Sequence, residues 1–200
     1  MSTKLLVVDD EIDNAAVAFF GGVPSVPGSE SFVWPMCASC DEGMQFQCRL
    51  PHPADPSKQI LVFQCQNDPG ACEEWDPESG GNKAMVVDVA GSSPVTPPEE
   101  GDLSLEGTWS AHVEVVDSDY EAARDAAESR RKIQGFLGGE PEWIQADESP
   151  DCPSCDEPML FVAQLEEGPN HRIDMNFGGG CGYVFVCTCP DNQAAFLWQC

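Results

Sequence analysis

Two short cysteine pairs give this sequence its clearest chemistry. Cys37 and Cys40 form one Cys-x-x-Cys pair, and Cys152 and Cys155 form another. A pair with this spacing can supply two thiolates from a single tight turn, and zinc takes four such ligands at the corners of a tetrahedron. We therefore expect two zinc sites in the chain, each completed by cysteines from elsewhere in the sequence.

The remaining ligands are predicted from strand ends and turns. In the first site, Cys65 follows an apolar run, and the turn sequence 67–70 can bring Cys72 back towards it. In the second site, Cys187 is expected to act with Cys189, and Cys200 is the alternative fourth ligand. The predicted metal ligands are Cys37, Cys40, Cys65 and Cys72 in the first site, and Cys152, Cys155, Cys187 and Cys189 in the second.

Disulfides and iron–sulfur clusters are the competing explanations for these cysteines. The chain has 11 cysteines, an odd number, so they cannot all pair with one another. Its first residues lack the apolar core of a secretory signal, so we expect a cytoplasmic protein, and disulfides are rare in that compartment. Four thiolates also suit an iron–sulfur cluster, and that alternative stays open. Four-cysteine zinc sites are usually structural, because they leave no coordination position for a substrate.

The cysteine pairs lie in two similar segments, which indicates an internal duplication. Each segment carries the same four motifs in the same order. They are Gly-Gly-x-Pro at 21–24 and 138–141, Cys-x-x-Cys-Asp-Glu at 37–42 and 152–157, Met-x-Phe at 44–46 and 159–161, and Val-Phe-x-Cys at 62–65 and 184–187. We divide the chain into module one at 1–90, a linker or exposed loop at 91–107 that is rich in proline and acids, and module two at 108–200.

Hydrophobic periodicity predicts an α+β fold that is mostly β, with two antiparallel modules packed together and one good helix. Strands are expected at 5–8, 44–50, 60–65, 84–89, 108–116, 159–165, 183–188 and 195–199. In the second of these, Met44, Phe46, Cys48 and Leu50 are expected to share one apolar face. A helical turn is expected near 13–19. A capping box at 118–121 predicts the helix, from Asp119 to Gln134.

The charge of the chain restricts its partners. Asp and Glu number 35 against nine Lys and Arg, which gives a formal net charge of -26. Nucleic-acid binding depends on cations that neutralise phosphates, so nucleic acid is excluded as an expected partner, and so is an anionic membrane. No apolar run is long enough to span a bilayer. A basic protein is the expected partner, because opposite charge accelerates encounter.

Catalysis is the alternative function at this stage. Cys48 and Cys181 are predicted to be free thiols, and a hydrolase would pair one of them with His52, His112 or His171. Four tryptophans near the cysteines either pack over the metal sites or form an aromatic groove for a peptide; they are Trp34, Trp75, Trp143 and Trp198. We expect no catalytic residues. An enzyme with a site between the modules, or a regulatory partner of a toxin, is the second hypothesis.

The ordered motifs resemble two related groups, the YwqG-like domain of unknown function and the programmed cell death protein 2 family. The resemblance rests on 63–72, on the Gly-Gly-x-Pro-x-Trp string at 138–143 and on the strand at 159–164. It covers most of the chain except 1–18 and 91–117. It implies a duplicated β-rich fold without a catalytic centre. Eukaryotic members of the second family act as chaperones for a ribosomal protein, so the resemblance implies a chaperone-like or assembly role towards a basic client.

Overall fold

The computed structural model describes residues 2–170 and 174–200, which form a mostly β structure with one α-helix. The strands are β1 (Thr3–Val8), β2 (Ala18–Phe20), β3 (Ser25–Pro27), β4 (Gln45–Pro51), β5 (Lys58–Gln64), β6 (Asn82–Asp88), β7 (Ser92–Pro94), β8 (Trp109–Val116), β9 (Ile133–Leu137), β10 (Leu160–Glu166), β11 (Cys181–Val186) and β12 (Ala194–Gln199). The helix is α1 (Tyr120–Ala126), and 3-10 turns lie at Ser29–Ser31 and Arg130–Lys132. The predicted fold class is confirmed.

Ten strands form one antiparallel sheet. Their order is β12-β11-β10-β9-β1-β8-β2-β4-β5-β6, and β3 pairs with β7 in a separate ribbon. The sheet curls until its two outer strands, β6 and β12, approach each other. Near this junction the Trp198 backbone N–H donates to the Trp75 carbonyl oxygen, and the two indole rings meet edge to face with centroids 6.1 Å apart. The contact brings the far ends of the two predicted modules together.

The predicted duplication is visible in the backbone. The β4–β5 pair and the β10–β11 pair each contain a register shift at the same repeat position, between Phe46 and Cys48 in one and between Phe161 and Ala163 in the other. Phe46 faces Phe63 across its pair as Phe161 faces Phe185. A bulge that recurs at equivalent positions supports a common origin for the two segments.

The bulge overturns one prediction made from periodicity. Met44 and Phe46 pack in one apolar cluster, whereas Cys48 and Leu50 pack in another. The four residues therefore do not share a face. The extra residue in the bulge, Gln47, reverses the alternation of side chains halfway along β4.

The first strands of the two repeats are exchanged at the centre of the sheet. β1 precedes β2 in the chain but pairs with β9, which begins the second set of motifs. β8 precedes β9 but pairs with β2, and β1 and β8 pair with each other. Each half of the sheet thus contains one strand from the other repeat.

Helix α1 begins as predicted but ends early. Its N-cap is Asp119, which accepts a hydrogen bond from the Ala122 backbone N–H, and not Ser118 of the predicted capping box. The prediction also extended the helix to Gln134. Ile133 and Phe136 are instead buried in strand β9, beside β1. Pairing with two strands overrides the local helix propensity of this segment. The strand itself was not predicted.

Two further segments are ordered in ways that periodicity does not indicate. The helical turn predicted near 13–19 is not formed; the Asp13 carboxylate accepts from the Ala15 N–H in a turn, and Ala18 begins β2. Residues 91–107 contain β7, and Val95 and Leu105 within them are buried.

Among the described residues, no helix is long and apolar enough to cross a membrane.

Candidate metal centres

Four cysteines of the first repeat converge at one point. The sulfur atoms of Cys37, Cys40, Cys65 and Cys72 all lie within 4.8 Å of one another. The Cys40 and Cys65 sulfurs are 3.7 Å apart. Three of the four residues are buried, and Cys40 is partly exposed.

The Cys-x-x-Cys turn has the same backbone geometry in both repeats. The Cys37 N–H donates to the Glu42 carbonyl oxygen, and the Cys152 N–H donates to that of Glu157, both at 2.9 Å. Asp41 and Asp156 follow the second cysteine of each pair with φ of 60° and 59°. A left-handed aspartate lets the chain reverse there. The Asp in each Cys-x-x-Cys-Asp-Glu motif therefore shapes the turn that presents the thiols.

A tight loop returns Cys72 to the first site. The Cys65 N–H donates to the Gly81 carbonyl oxygen at 2.8 Å, which anchors the end of β5 against the start of β6. A Cβ on Gly81 would collide with the Cys72 carbonyl oxygen and the Glu74 backbone. Glycine is required here because the chain carrying Cys72 passes directly against it.

The second site assembles the predicted set with Cys189 as its fourth member. The sulfurs of Cys152, Cys155, Cys187 and Cys189 lie within 4.8 Å of one another. Those of Cys152 and Cys189 are 3.8 Å apart, and those of Cys155 and Cys187 are 3.6 Å apart. Cys200, the alternative ligand, is exposed and lies beside Gly178. It does not belong to either cluster.

The two sites differ at one repeat position, which sequence reasoning missed. Cys189 follows Cys187 by two residues, and the residue two positions after Cys65 is Asn67. The Asn67 side-chain amide donates to the sulfurs of Cys65 at 3.4 Å and Cys40 at 3.6 Å. Asparagine thus serves as a hydrogen-bond donor in site one where a ligand candidate stands in site two. Aligning the two Val-Phe-x-Cys motifs places Asn67 opposite Cys189, so this difference between the sites can be seen in the sequence.

The sulfur spacing fits a tetrahedral metal ion. A tetrahedron with metal–sulfur bonds of about 2.3 Å has sulfur–sulfur edges of about 3.8 Å. The three sulfur–sulfur distances given above are 3.6 to 3.8 Å. All 11 cysteines lie in the described residues, and none forms a disulfide. The two clusters can each hold one metal ion, and the disulfide explanation does not apply.

Backbone N–H groups favour the thiolate at the first cysteine of each turn. Burial opposes ionisation of Cys152, but hydrogen bonds from the N–H groups of Ser154 and Cys155 and from Cys187 lower its pKa to about 7. The pKa of Cys37 is lowered in the same way, against burial, by the N–H groups of Cys40 and Ser39.

The pKa is raised, and the protonated thiol favoured, at Cys72 in the first cluster and Cys187 in the second. Burial and the neighbouring thiols raise the pKa of Cys72. At Cys187 the Cys189 N–H favours the thiolate, but burial and the adjacent thiols of Cys152 and Cys155 raise the pKa to about 12. Four adjacent thiolates repel one another, so ionisation of the complete set requires a cation between them.

Aromatic side chains cover both clusters. Trp34 packs with Cys37 and Cys65, and its indole N–H donates to the Met44 carbonyl oxygen at 2.8 Å. Trp143 packs in the cluster that contains the second set of cysteines, with its ring 6.0 Å from that of Phe185. Tryptophan packing around a metal site excludes water from it. Trp75 and Trp198 instead meet at the junction between β6 and β12.

The two buried thiols outside the clusters, Cys48 and Cys181, are poorly suited to nucleophilic chemistry. Burial raises the pKa of Cys48, and burial together with Glu166 raises that of Cys181 to about 12. His52 accepts from backbone N–H groups, and His112 bonds to Asp9 at 2.7 Å. His171, the third histidine considered for catalysis, lies outside the described residues.

Comparison with known proteins gives a short match. No protein-family model matches the chain. A stretch of 63 residues is 37% identical to the uncharacterized protein YpfL of Salmonella typhimurium. The match covers 32% of this chain and 14% of that protein, so the chain spans only a small part of its length.

Proposed function

We propose that this chain is a zinc-stabilised protein-binding module, with a chaperone-like or assembly role towards a basic client. The observation that carries the proposal is the pair of four-sulfur clusters, in which the sulfurs lie within 4.8 Å of one another and three of the edges measure 3.6 to 3.8 Å. The resemblance to the YwqG-like and programmed cell death protein 2 families belongs to the same proposal, because the motifs that carry it include these cysteines.

Zinc is the metal that fits the clusters best. Four thiolates at tetrahedral corners are a frequent structural zinc site, and the ion has no redox chemistry that would damage them. Both clusters are joined to hydrophobic cores. In this position, the free energy of metal binding contributes directly to the stability of the fold. An iron–sulfur cluster is the alternative occupant.

The proposed partner follows from charge. The net charge of -26 favours association with a basic protein and disfavours phosphate backbones. Several of the few cations are already paired within the chain: Arg124 with Glu166, Arg131 with Asp174, and Lys132 with Asp10. The surface that remains is dominated by carboxylates.

We treat the chain as a binding protein and not as an enzyme. The raised pKa values of Cys48 and Cys181, the two buried thiols outside the clusters, support this choice. An enzyme with a site between the modules, and a regulatory partner of a toxin, remain the alternative functions. We place the protein in the cytoplasm, where zinc rather than disulfide cross-links is expected.

Counting metal ions tests the first half of the proposal. We expect two zinc ions per chain by elemental analysis, no visible absorption, and tetrahedral d–d bands after cobalt substitution. Cys189→Ser is expected to leave one zinc ion per chain, whereas Cys200→Ser, the matched control, retains two. A brown protein containing iron and sulfide would contradict the choice of metal. Two zinc ions in Cys189→Ser would contradict the ligand set.

Salt-dependent capture tests the second half. The zinc-loaded protein is immobilised, partners are captured at low and high salt, and the identified partner is purified and titrated directly. We expect a basic protein whose affinity falls steeply with ionic strength, because the exposed charges are screened. An acidic partner, or an affinity that salt does not change, would contradict a charge-guided client.

A further inference from the structure

The two Gly-Gly-x-Pro motifs line a pair of equivalent grooves. The groove in the first repeat has a volume of about 270 Å³ and includes Phe19 and 21–25 in its lining. The groove in the second repeat has a volume of about 490 Å³ and includes Phe136 and 138–142. Strand pairing gives the correspondence, because Phe19 lies opposite Arg49 as Phe136 lies opposite Gln164.

The first groove already contains a cation from the chain itself. The Arg49 guanidinium lies over the Phe19 ring, 4.2 Å from its centroid, and both residues line the groove. A guanidinium on an aromatic face is a favourable cation–π arrangement. The first repeat therefore shows a cationic side chain beside the Gly-Gly-x-Pro turn.

The second groove has the opposite charge. At the position of Arg49 it has Gln164, whose side-chain oxygen accepts from the Glu142 N–H at 2.9 Å. The positions of Val23 and Ser25 are occupied by Glu140 and Glu142. These two carboxylates, with Asp119, line the groove against a single cation, Lys4.

The surroundings of Glu142 are strongly negative. Partial burial, together with the negative charges of Glu121 and Asp119, raises the pKa of Glu142, although the positive charge of Arg124 opposes this shift. Apolar groups line the inner part of the same groove, among them Tyr120, Phe136 and Leu137. An arginine or lysine side chain combines an apolar stem with a charged head, which matches this distribution.

We propose that the groove at 138–142 binds an arginine-bearing segment of a basic protein, with the guanidinium between Glu140 and Glu142. The first repeat places its own Arg49 beside the equivalent turn, whereas in the second repeat the cation would come from another molecule. The carboxylates would hold it, because the Phe136 ring packs against Tyr120 with centroids 4.5 Å apart. The inference rests on the proposed function, which it deepens by placing the docking site and naming the side chain. Glu140 and Glu142 are both exposed, so their substitution leaves the core intact.

The test uses a capped peptide of alternating glycine and arginine, with a citrulline peptide as its neutral isostere. Binding to the zinc-loaded full chain is followed by nitrogen–proton correlation spectra. We expect saturable shifts of the Gly138 and Gly139 amide signals with the arginine peptide only. The double variant Glu140→Gln/Glu142→Gln is expected to weaken binding about fivefold, since two exposed charge contacts are removed.

The matched control is Glu99→Gln/Glu100→Gln, which changes the net charge equally at a different cavity. It should leave the affinity within about twofold, because distant surface charges are largely screened at physiological salt. Equal weakening by both double variants, or shifts spread across the whole acidic surface, would overturn the groove while leaving a basic client possible. If neither the peptide nor any basic partner binds, the proposed function itself fails.

Discussion

At the scale of single residues, Asn67 adds side-chain hydrogen bonds to the four thiols of site one. Its amide reaches two cluster sulfurs and the Gly43 carbonyl oxygen, and its own oxygen accepts from the Asp102 N–H at 2.7 Å. Donors of this kind orient metal ligands and partly neutralise the charge on the sulfur. The residue thus couples the first metal site to the segment at 91–107.

Two substitutions of Asn67 distinguish its electrostatic effect on the cysteine sulfurs from its structural role in holding the loop at Asp102. Asn67→Ala is expected to weaken zinc binding at site one by about tenfold, the scale on which outer hydrogen bonds act. Asn67→Asp keeps the acceptor for Asp102 but places a carboxylate against the thiolates, so we expect a larger loss. Competition with a chromogenic chelator measures both, and Asn14→Ala, at an exposed residue, is the control.

The order of the two variants decides the interpretation. If Asn67→Asp retained zinc better than Asn67→Ala, the residue would serve the loop and not the sulfur atoms. Equal effects in Asn14→Ala would show that asparagine loss on the surface disturbs the assay in general.

At the scale of elements, strand β9 depends on one glycine. Gly135 has φ of +133°, and a Cβ there would overlap the Gln164 carbonyl oxygen on the neighbouring strand β10. β9 lies between β1 and β10, so neither neighbour can move away without breaking its own pairing. The backbone at Gly135 therefore cannot shift to accommodate a Cβ atom.

Gly135→Ala is therefore expected to lower the free energy of unfolding by about 3–5 kcal/mol, through backbone strain and loss of pairing. Gly70→Ala is the matched control, because Gly70 also has positive φ, +81°, but has nothing within 4 Å of the added Cβ. Its cost is expected to be about 1 kcal/mol, that of the left-handed conformation alone. Urea unfolding of the zinc-loaded proteins measures the difference, and equal costs would contradict the clash.

The contrast between local and tertiary signals explains which elements the sequence could predict. The cysteine turns, the strands around them and the start of α1 follow from spacing, alternation and capping within a few residues. The end of α1 and the whole of β9 do not, because Ile133 and Phe136 are fixed by pairing with β1, more than 100 residues earlier in the chain. The bulge at Gln47 could not be predicted either, because apolar and polar residues alternate through it without interruption.

The metal sites divide in the same way. The cysteine sets could be predicted because thiolate pairs and turn residues are local signals, and repeat comparison placed three cysteines of each. The fourth position of site two depended on where the chain turns after β11, where the Cys187 N–H donates to the Gln193 carbonyl oxygen. That turn separates Cys189, inside the cluster, from Cys200, which follows the outermost strand.

At the scale of the whole molecule, the exchange of β1 and β8 determines how the halves cooperate. Each repeat contributes one strand to the other half of the sheet, and the two exchanged strands pair with each other. The largest apolar cluster draws on both repeats, with Leu6, Phe20 and Cys48 on one side and Val162 and Val184 on the other. The division at 91–107 remains a prediction for the sequence, while the packing joins the repeats closely.

Cutting the chain in this segment tests that cooperation. Fragments 1–100 and 101–200 each contain a complete set of four cluster cysteines, but the first lacks β8 beside β2, and the second lacks β1 beside β9. Each fragment alone is expected to show poorly dispersed nuclear magnetic resonance spectra even with zinc, because an unpaired strand edge and half of a shared core are exposed. Mixed in equal amounts, they should associate as exchanged strands do and recover the full-length spectrum with two zinc ions. A full-length chain cleaved at the same bond after folding controls for the break itself. Two fragments that fold separately, each with one zinc ion, would show that the modules are independent and that the exchange contributes little to stability.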